Sequence, residues 1–227
     1  MITSTSVLSL CKYTTAQLNI FFPDNDVVDL SIEKQWVERA LEKIEYCFKH
    51  VTLKHYFNGD QVIFNHLFSD HYVMYLWFLS NVVYLENGKC SLADKLYYLN
   101  KLLNGLDCMY DTKLPDIFLI FHSSGTMLGK AFYSDFFIVF NGCTVGSQNG
   151  NYPSFSKGVS ITANSSVVGD CLIGCRSTIS TRTLVFEKNI PDDHVVFMDL
   201  NIGKLKTMPA NKCFAQQFFN VDLYKIQ

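Results

Sequence analysis

The sequence has no excess of charge of either sign. Its 19 lysine and arginine residues nearly balance 21 aspartate and glutamate residues, which leaves a net charge of -2 over 227 residues. A balanced chain offers no electrostatic argument for a nucleic-acid partner or an anionic membrane surface. Proline and glycine are also scarce, at 5 and 12 residues, while 48% of the residues are hydrophobic. This composition excludes disordered and collagen-like chains and predicts a sizeable core.

The eight cysteines lack the spacing of a metal site. No CxxC pair occurs, and the two closest cysteines, Cys171 and Cys175, have no neighbouring histidine. We therefore expect no structural zinc and no other metal. Residues 1–6 lack the basic region of a signal peptide, so we expect reduced thiols and a cytoplasmic protein. The longest apolar stretch, residues 71–85, contains His, Ser and Asn and is too short to span a bilayer, which favours a buried helix.

The first half of the sequence has helical periodicity. Apolar residues recur every three or four positions over residues 31–50, where Ser31 resembles the start of a capping box. A second helix is predicted from about Asp70 to Leu85, and a third from Ser91 to the exit signal Asn104-Gly105. The first thirty residues carry no clear pattern. We expect residues 1–105 to form a helical N-terminal domain.

The second half of the sequence repeats every six residues instead. Stepping by six from Phe121, with one four-residue insertion, meets an apolar or aromatic residue at every step. These positions are Phe121, Met127, Tyr133, Val139, Val145, Phe155, Ile161, Val167, Ile173, Ile179 and Val185. A small residue lies four positions after each of the later apolar residues of this series, at Ser165, Cys171, Ser177 and Thr183. Neither a helix nor an ordinary strand has this period.

A six-residue repeat is typical of a parallel β-helix in which each hexad forms one flat side of a triangular prism. One residue per hexad points inward and stacks on its equivalent in the next coil, and a second inward position near each corner admits only a small side chain. The hexads make about four coils. The alternative, a β-sandwich of short strands, does not enforce a fixed repeat length. We expect the prism over residues 106–188 and a C-terminal tail over residues 189–227.

Three segments of the prism resemble a known family. The run His122-Ser-Ser-Gly125-Thr-Met-Leu-Gly129 resembles the H-x-x-G-x-x-x-G motif of serine acetyltransferases. Residues 139–146 and 158–169 resemble two further coils of those enzymes, and the resemblance covers about residues 85–208. The family consists of acetyl-CoA-dependent hexapeptide-repeat acyltransferases. It implies an α+β chain in which a helical N-terminal domain precedes a left-handed parallel β-helix, assembled as a homotrimer or as a dimer of trimers.

The motif identifies a candidate general base. Acetyl transfer from a thioester to a hydroxyl requires a group that removes the hydroxyl proton, and histidine suits this task because it titrates near neutrality. His122 is the candidate. The resemblance implies that Asp107, fifteen residues earlier, holds the imidazole, with Asp116 in reserve. The alternatives are a structural histidine, a turn-capping Asp107 and a non-catalytic β-helix scaffold.

The acceptor site departs from the family pattern. Serine acetyltransferases have Asp directly before the catalytic His, where this chain has Phe121. They bind the amino-acid acceptor with an Arg-His-Pro segment, where this chain has Asn151-Tyr152-Pro153. Free serine would leave its two charges unpaired here. We therefore expect O-acetylation of a carbohydrate hydroxyl, as in enzymes for capsule or lipopolysaccharide precursors. The candidate acceptor-binding residues are Asp70, Phe121, Tyr133 and Tyr152. Serine acetylation for cysteine biosynthesis is the runner-up, and N-acetylation of an amino sugar stays open.

The resemblance also implies a coenzyme A site. In the family, CoA lies in a groove between neighbouring subunits, with its pantetheine arm on coil backbone and its phosphates near cations. By position, the lining residues are Gly146, Ala163, Asn164, Ser180, Thr181, Arg182, Lys204 and Lys206. The predicted co-substrate is acetyl-CoA.

Overall fold

The computed structural model describes residues 1–226, and four helices make up most of its N-terminal part. They are α1 (Val7–Phe21), α2 (Lys34–Phe48), α3 (Ser69–Asn87) and α4 (Ser91–Asn104). A short parallel pair, β1 (Ile2–Thr3) and β2 (Ile63–Phe64), ties the start of the chain to the connection between α2 and α3. The three predicted helices are confirmed, and α1 is an addition to them. In the described part of the chain, no helix has the length and apolar character needed to cross a membrane.

Helix α3 is the central element of this part of the molecule. Residues 70–80 are all buried, because α3 packs against α2 and α4 and also against the first prism wall. A helix that is apolar on all sides is expected in such a position. The predicted capping role of Ser31 is wrong: α2 begins three residues later, with Glu33 at its N-cap. Ser31 instead lies in a turn, where its N–H donates to Asp29 Oδ1 at 2.8 Å.

After α4 the chain winds into a parallel β-solenoid with three walls. Its strands are β3 (Leu106–Asp107), β4 (Phe118–Ile120), β5 (Thr126–Leu128), β6 (Phe132–Tyr133), β7 (Phe137–Val139), β8 (Thr144–Gly146), β9 (Ser154–Phe155), β10 (Ser160–Ile161), β11 (Ser166–Val168), β12 (Leu172–Ile173), β13 (Thr178–Ile179), β14 (Leu184–Phe186), β15 (His194–Asp199) and β16 (Lys204–Pro209). The first wall contains β4, β7, β10, β13 and β15, with β16 added antiparallel at its edge. The second wall contains β3, β5, β8, β11 and β14, and the third contains β6, β9 and β12. Two walls therefore contain five parallel strands each, one from each coil. The six-residue repeat predicted about four coils, so the prism is about one coil longer than predicted.

The predicted inward positions are confirmed from Val139 to Val185, which are in register from coil to coil and buried. The small residues at the corners are buried as well. The inward positions predicted at the first two steps of the repeat, Phe121 and Met127, are wrong. Ile120, not Phe121, pairs with Val139, and Leu128, not Met127, pairs with Val145.

The reason for this shift is an irregular first coil. Eight residues separate the inward residues Ile120 and Leu128, and five separate Leu128 from Tyr133, where a regular hexad has six. The corner that contains His122 is thus two residues longer than the equivalent corners of later coils. A longer corner allows the chain to bulge outward from the prism.

The four-residue insertion after Val145 is accommodated by a tight turn. Gln148 and Asn151 exchange backbone hydrogen bonds at 3.0 and 2.9 Å, and the two residues between them, Asn149 and Gly150, both have positive φ, at 51° and 81°. Asn-Gly is the preferred pair for a two-residue hairpin turn of this kind. The insertion therefore closes on itself and leaves the stacking of the walls intact.

The chain continues the prism beyond residue 188 and then folds back. Strand β15 pairs in register with β13, and Val196 takes the inward position of the first wall. In the described part of the chain the tail therefore begins later than the predicted residue 189: it comprises residues 210–226 and returns along the outer face of the first wall. There the ring of Phe218 lies 5.1 Å from that of Phe121. The tail contains a short 3₁₀ helix, Ala215–Gln217.

Gly105 joins the helices to the prism, and its replacement tests how closely α4 packs against the His122 turn. It ends α4 with φ +67°, and an added Cβ would lie 3.0 Å from Gly125 N and Ser124 Cα. Gly88 ends α3 with φ +68° and open space around it. We expect Gly88→Ala to lower the free energy of unfolding by about 1 kcal/mol, from backbone strain alone. Gly105→Ala should cost at least about 2 kcal/mol, because backbone atoms must also move. Urea unfolding measures both, and equal losses would contradict a close fit at Gly105.

Candidate active site

His122 projects from the corner between the first and second walls. Its φ of 53° is in the left-handed region, which is uncommon for a residue with a side chain. The turn is anchored to the end of α4, since Ser123 Oγ donates to Asn104 O at 2.8 Å and Gly125 N donates to Gly105 O at 3.1 Å. The His122 side chain itself is 74% exposed. The long corner therefore holds the backbone and presents the imidazole to solvent.

A buried carboxylate lies directly behind this imidazole, and it belongs to Asp70. Asp70 is in the first turn of α3, and its side chain is only 4% exposed. Its Oδ1 accepts the backbone N–H of His122 at 3.0 Å, and its Oδ2 lies 3.7 Å from His122 Nδ1. The positive end of the helix dipole favours a carboxylate at this position. Asp70 was predicted to contact the acceptor, whereas the structure places it against His122.

Asp107, the predicted partner of His122, lies elsewhere. Its two oxygens accept hydrogen bonds from the Tyr97 hydroxyl at 2.6 Å and from Lys101 Nζ at 2.7 Å. Partial burial raises the pKa of Asp107, but these two donors outweigh it and hold the pKa below its ordinary value. In the coil register Asp107 stacks on Met127, five residues beyond His122. The predicted Asp107–His122 pair is therefore replaced by Asp70–His122.

The reserve candidate, Asp116, is also remote from the imidazole contact. It lines a surface cavity of about 350 Å³ beside α2, together with Arg39, Glu42, Lys43 and Tyr46. The other four lining residues all belong to α2.

The predicted acceptor-binding aromatics divide into exposed and buried residues. Tyr152 is 43% exposed and lines a cavity of about 440 Å³ at the corner between the second and third walls. Phe132, 71% exposed, shares this cavity with Lys113 and with the ion pair of Lys130 and Asp111, whose charged atoms are 2.8 Å apart. This corner therefore combines aromatic faces with charged and hydroxyl groups.

The other two aromatics are packing residues, which corrects the prediction. Tyr133 lies inside the prism, with its ring stacked 5.3 Å from Phe155 and its hydroxyl donating to Gly129 O at 2.8 Å. Phe121 is 6% exposed and packs 5.2 Å from Phe140. Tyr133 occupies the inward position that the six-residue repeat itself predicts, in register with Phe155 of the next coil, and it is partly buried there.

Two of the predicted coenzyme residues line a larger cavity. Ser180 and Thr181 border a space of about 540 Å³ between the first wall and the tail, near the same corner of the prism as His122. Other lining side chains are Thr162 and Thr178 of the wall and Lys212, Phe214 and Gln217 of the tail. Lys212 was missed by sequence analysis, because the tail has no repeat or motif that places it. Only the fold of the tail brings this cation to the wall.

The remaining predicted coenzyme residues are dispersed. Ala163, Asn164 and Arg182 lie on the corner below His122, whereas Gly146 lies on the corner near Tyr152. Lys204 and Lys206 are on β16, where Lys206 Nζ pairs with Asp199 Oδ2 at 2.6 Å. A single chain therefore does not bring all of these residues into one groove. Within residues 1–226, no group of three or more His, Cys, Asp and Glu residues is arranged to hold a metal ion.

Solved structures share this fold, although no family model and no curated protein matches the sequence. A serine acetyltransferase from Neisseria gonorrhoeae is 18% identical over 92% of this chain and 81% of its own, with a TM-score of 0.66. One from Brucella abortus strain S19 is 16% identical over 92% and 86%, with a TM-score of 0.68. A serine acetyltransferase from that strain in complex with coenzyme A is 15% identical over 92% and 84%, with a TM-score of 0.66. The predicted fold, helices followed by a left-handed parallel β-helix, is confirmed.

Proposed function

We propose that the protein is an acyltransferase that moves an acetyl group from acetyl-CoA to a carbohydrate hydroxyl. The observation that carries the proposal is the exposed imidazole of His122, backed by a buried carboxylate at an irregular corner of the prism. A hydroxyl- and lysine-lined cavity lies near the same corner. The fold is that of serine acetyltransferases, one of which is described in complex with coenzyme A. Surface-polysaccharide precursors are the acceptor class we favour.

In the proposed reaction, His122 removes the proton of the acceptor hydroxyl while that oxygen attacks the thioester carbonyl. The carbon–sulfur bond then breaks, the acetyl group remains on the acceptor oxygen, and the CoA sulfur leaves with the proton from the imidazolium. The exposure of His122 suits a base that must reach two large substrates. Hydroxyls and an ammonium group in the 540 Å³ cavity suit the pantetheine arm and phosphates of CoA.

The choice of a carbohydrate acceptor rests on charge and on aromatic surface. Phe121 and Asn151 stand where a serine acetyltransferase has an acid and an arginine, so a zwitterion would be left unpaired. The exposed rings of Tyr152 and Phe132 offer flat apolar faces beside polar groups, which suits a sugar ring. Serine is the second candidate, because the similar structures are described as serine acetyltransferases.

We further propose that the active form is a homotrimer. The His122 corner and the Tyr152 corner are different edges of one prism, so both can face one acceptor only across a contact between two copies. On the second and third walls, which meet at the Tyr152 corner, the side chains of Leu172, Leu184 and Phe186 are about half exposed, at 52%, 50% and 48%. Burial of these apolar side chains would favour such a contact.

Replacement of His122 tests the proposed base. We expect His122→Ala to lower acetyl-CoA-dependent turnover by about a hundredfold or more, because the variant lacks the imidazole proposed to take the acceptor proton. The unfolding temperature should be unchanged, since the side chain is 74% exposed. Thiol release from acetyl-CoA measures the rate, and His55→Ala, another exposed histidine, is the control. Full turnover in the His122 variant would eliminate it as the base and favour a scaffold.

The acceptor can be identified by the same thiol-release assay. We expect nucleotide sugars or lipid-linked oligosaccharides to stimulate thiol release and free serine to have no effect, because Phe121 and Asn151 stand where a serine acetyltransferase has an acid and an arginine. Mass spectrometry of the product distinguishes an O-acetyl ester from an N-acetyl amide. Efficient acetylation of serine alone would support the runner-up and rule out the sugar.

Replacement of Lys212 tests whether the cavity beside Ser180 binds the coenzyme. We expect Lys212→Ala to raise the Kd for CoA by about tenfold, which corresponds to the loss of one charge-assisted hydrogen bond. Isothermal titration calorimetry measures this, and Lys225→Ala is a matched control because Lys225 is in the same tail but pairs with Asp222. An unchanged Kd in the Lys212 variant would place the CoA phosphates elsewhere.

A further inference from the structure

We propose that Asp70, not Asp107, is the positioning carboxylate of His122, so that the helical part of the chain supplies a component of the catalytic centre. The inference rests on the proposed role of His122 as the base. It assigns a single carboxylate, 52 residues away in sequence, to both the backbone and the ring of that residue.

The two oxygens of Asp70 have separate tasks. Oδ1 accepts the His122 N–H at 3.0 Å and so supports the left-handed backbone at φ 53°. Oδ2 is 3.7 Å from Nδ1, which is longer than a hydrogen bond. In enzymes without substrate, such catalytic contacts are often long and shorten when the substrate binds. Because Nδ1 faces Asp70, Nε2 lies on the opposite side of the ring, where an acceptor hydroxyl can approach.

The charge around Asp70 also differs from that around Asp107. Among residues 1–226, the only ion-pair partner of Asp70 is His122, whereas Lys101 compensates the charge of Asp107. A carboxylate without another cation is better able to stabilise an imidazolium that forms beside it.

The titratable groups packed near Asp70 bring no compensating charge. Tyr56 is fully buried, and burial together with the charge of Asp70 holds the pKa of its hydroxyl well above the ordinary value. His71, the next residue of α3, is 1% exposed. Burial, with a smaller contribution from His55, lowers the pKa of His71 to about 3, so its ring is neutral. Neither Tyr56 nor His71 therefore adds a positive charge beside Asp70.

An amide replacement tests this assignment at atomic level. In Asp70→Asn, the carbonyl oxygen keeps the Oδ1 contact with the His122 N–H, so the amide nitrogen takes the Oδ2 position and faces Nδ1. A donor at that point favours the tautomer with the proton on Nε2, which is the nitrogen that must accept the acceptor proton. We expect kcat to fall by about a hundredfold, with the KM for acetyl-CoA within about twofold of the wild type. Nitrogen-15 NMR of the His122 ring should show the change of tautomer.

Two further variants make the result decisive. Asp94→Asn removes another acid from the first turn of a helix, α4, and should leave both kcat and the His122 tautomer unchanged. Asp107→Asn should also keep the Nδ1–H tautomer, because Asp107 contacts Tyr97 and Lys101. A loss of that tautomer in the Asp107 variant, or its retention in the Asp70 variant, would overturn the proposal. The NMR signal does not require turnover, so it separates this inference from the acetyltransferase assignment.

Discussion

The structure depends on the stacking of each coil on the next. Each wall strand other than those at the ends of a wall has backbone partners in the coils above and below it, and its inward apolar side chain lies in register with theirs. This arrangement tolerates little variation within a wall, because one residue of slippage exchanges inward and outward side chains. The variation that does occur is confined to corners. The Asn-Gly turn absorbs four residues at one corner, and the longer turn at another presents His122.

The helices complete the site as well as cover the first coils. Helix α3 is buried between its neighbours and the first wall, so the Asp70 carboxylate at its start is held in a fixed place. Helix α4 supplies Tyr97 and Lys101 to Asp107 and ends against the turn that follows His122. The environment of each carboxylate is therefore set by a helix that packs on the prism. The same helical contacts explain why these two acids have different roles in the proposed mechanism, although Asp107 is much closer to His122 along the chain than Asp70 is.

Sequence periodicity predicted the regular parts of the fold and was wrong where the period changes. Helix α4 and the stack from Val139 onward follow directly from spacing, because spacing alone decides which side chains share a face. The repeat assigned Phe121 and Met127 to inward positions that the neighbouring residues Ile120 and Leu128 occupy, because nothing in these residue types reveals a longer corner. Tyr133 was predicted to bind the acceptor, although an inward aromatic and an exposed one look the same in sequence. Only burial distinguishes them.

The amino-acid sequence by itself determined the six-residue repeat, the helical half and the presence of a histidine motif, since these are local patterns. The tertiary structure alone decided which carboxylate faces His122 and which lysine borders the cavity beside Ser180. Both choices join segments that are distant along the chain, Asp70 to His122 and Lys212 to the first wall. Such contacts arise from the packing of a helix and a tail on the prism, and packing between distant segments leaves no periodic signal in the sequence.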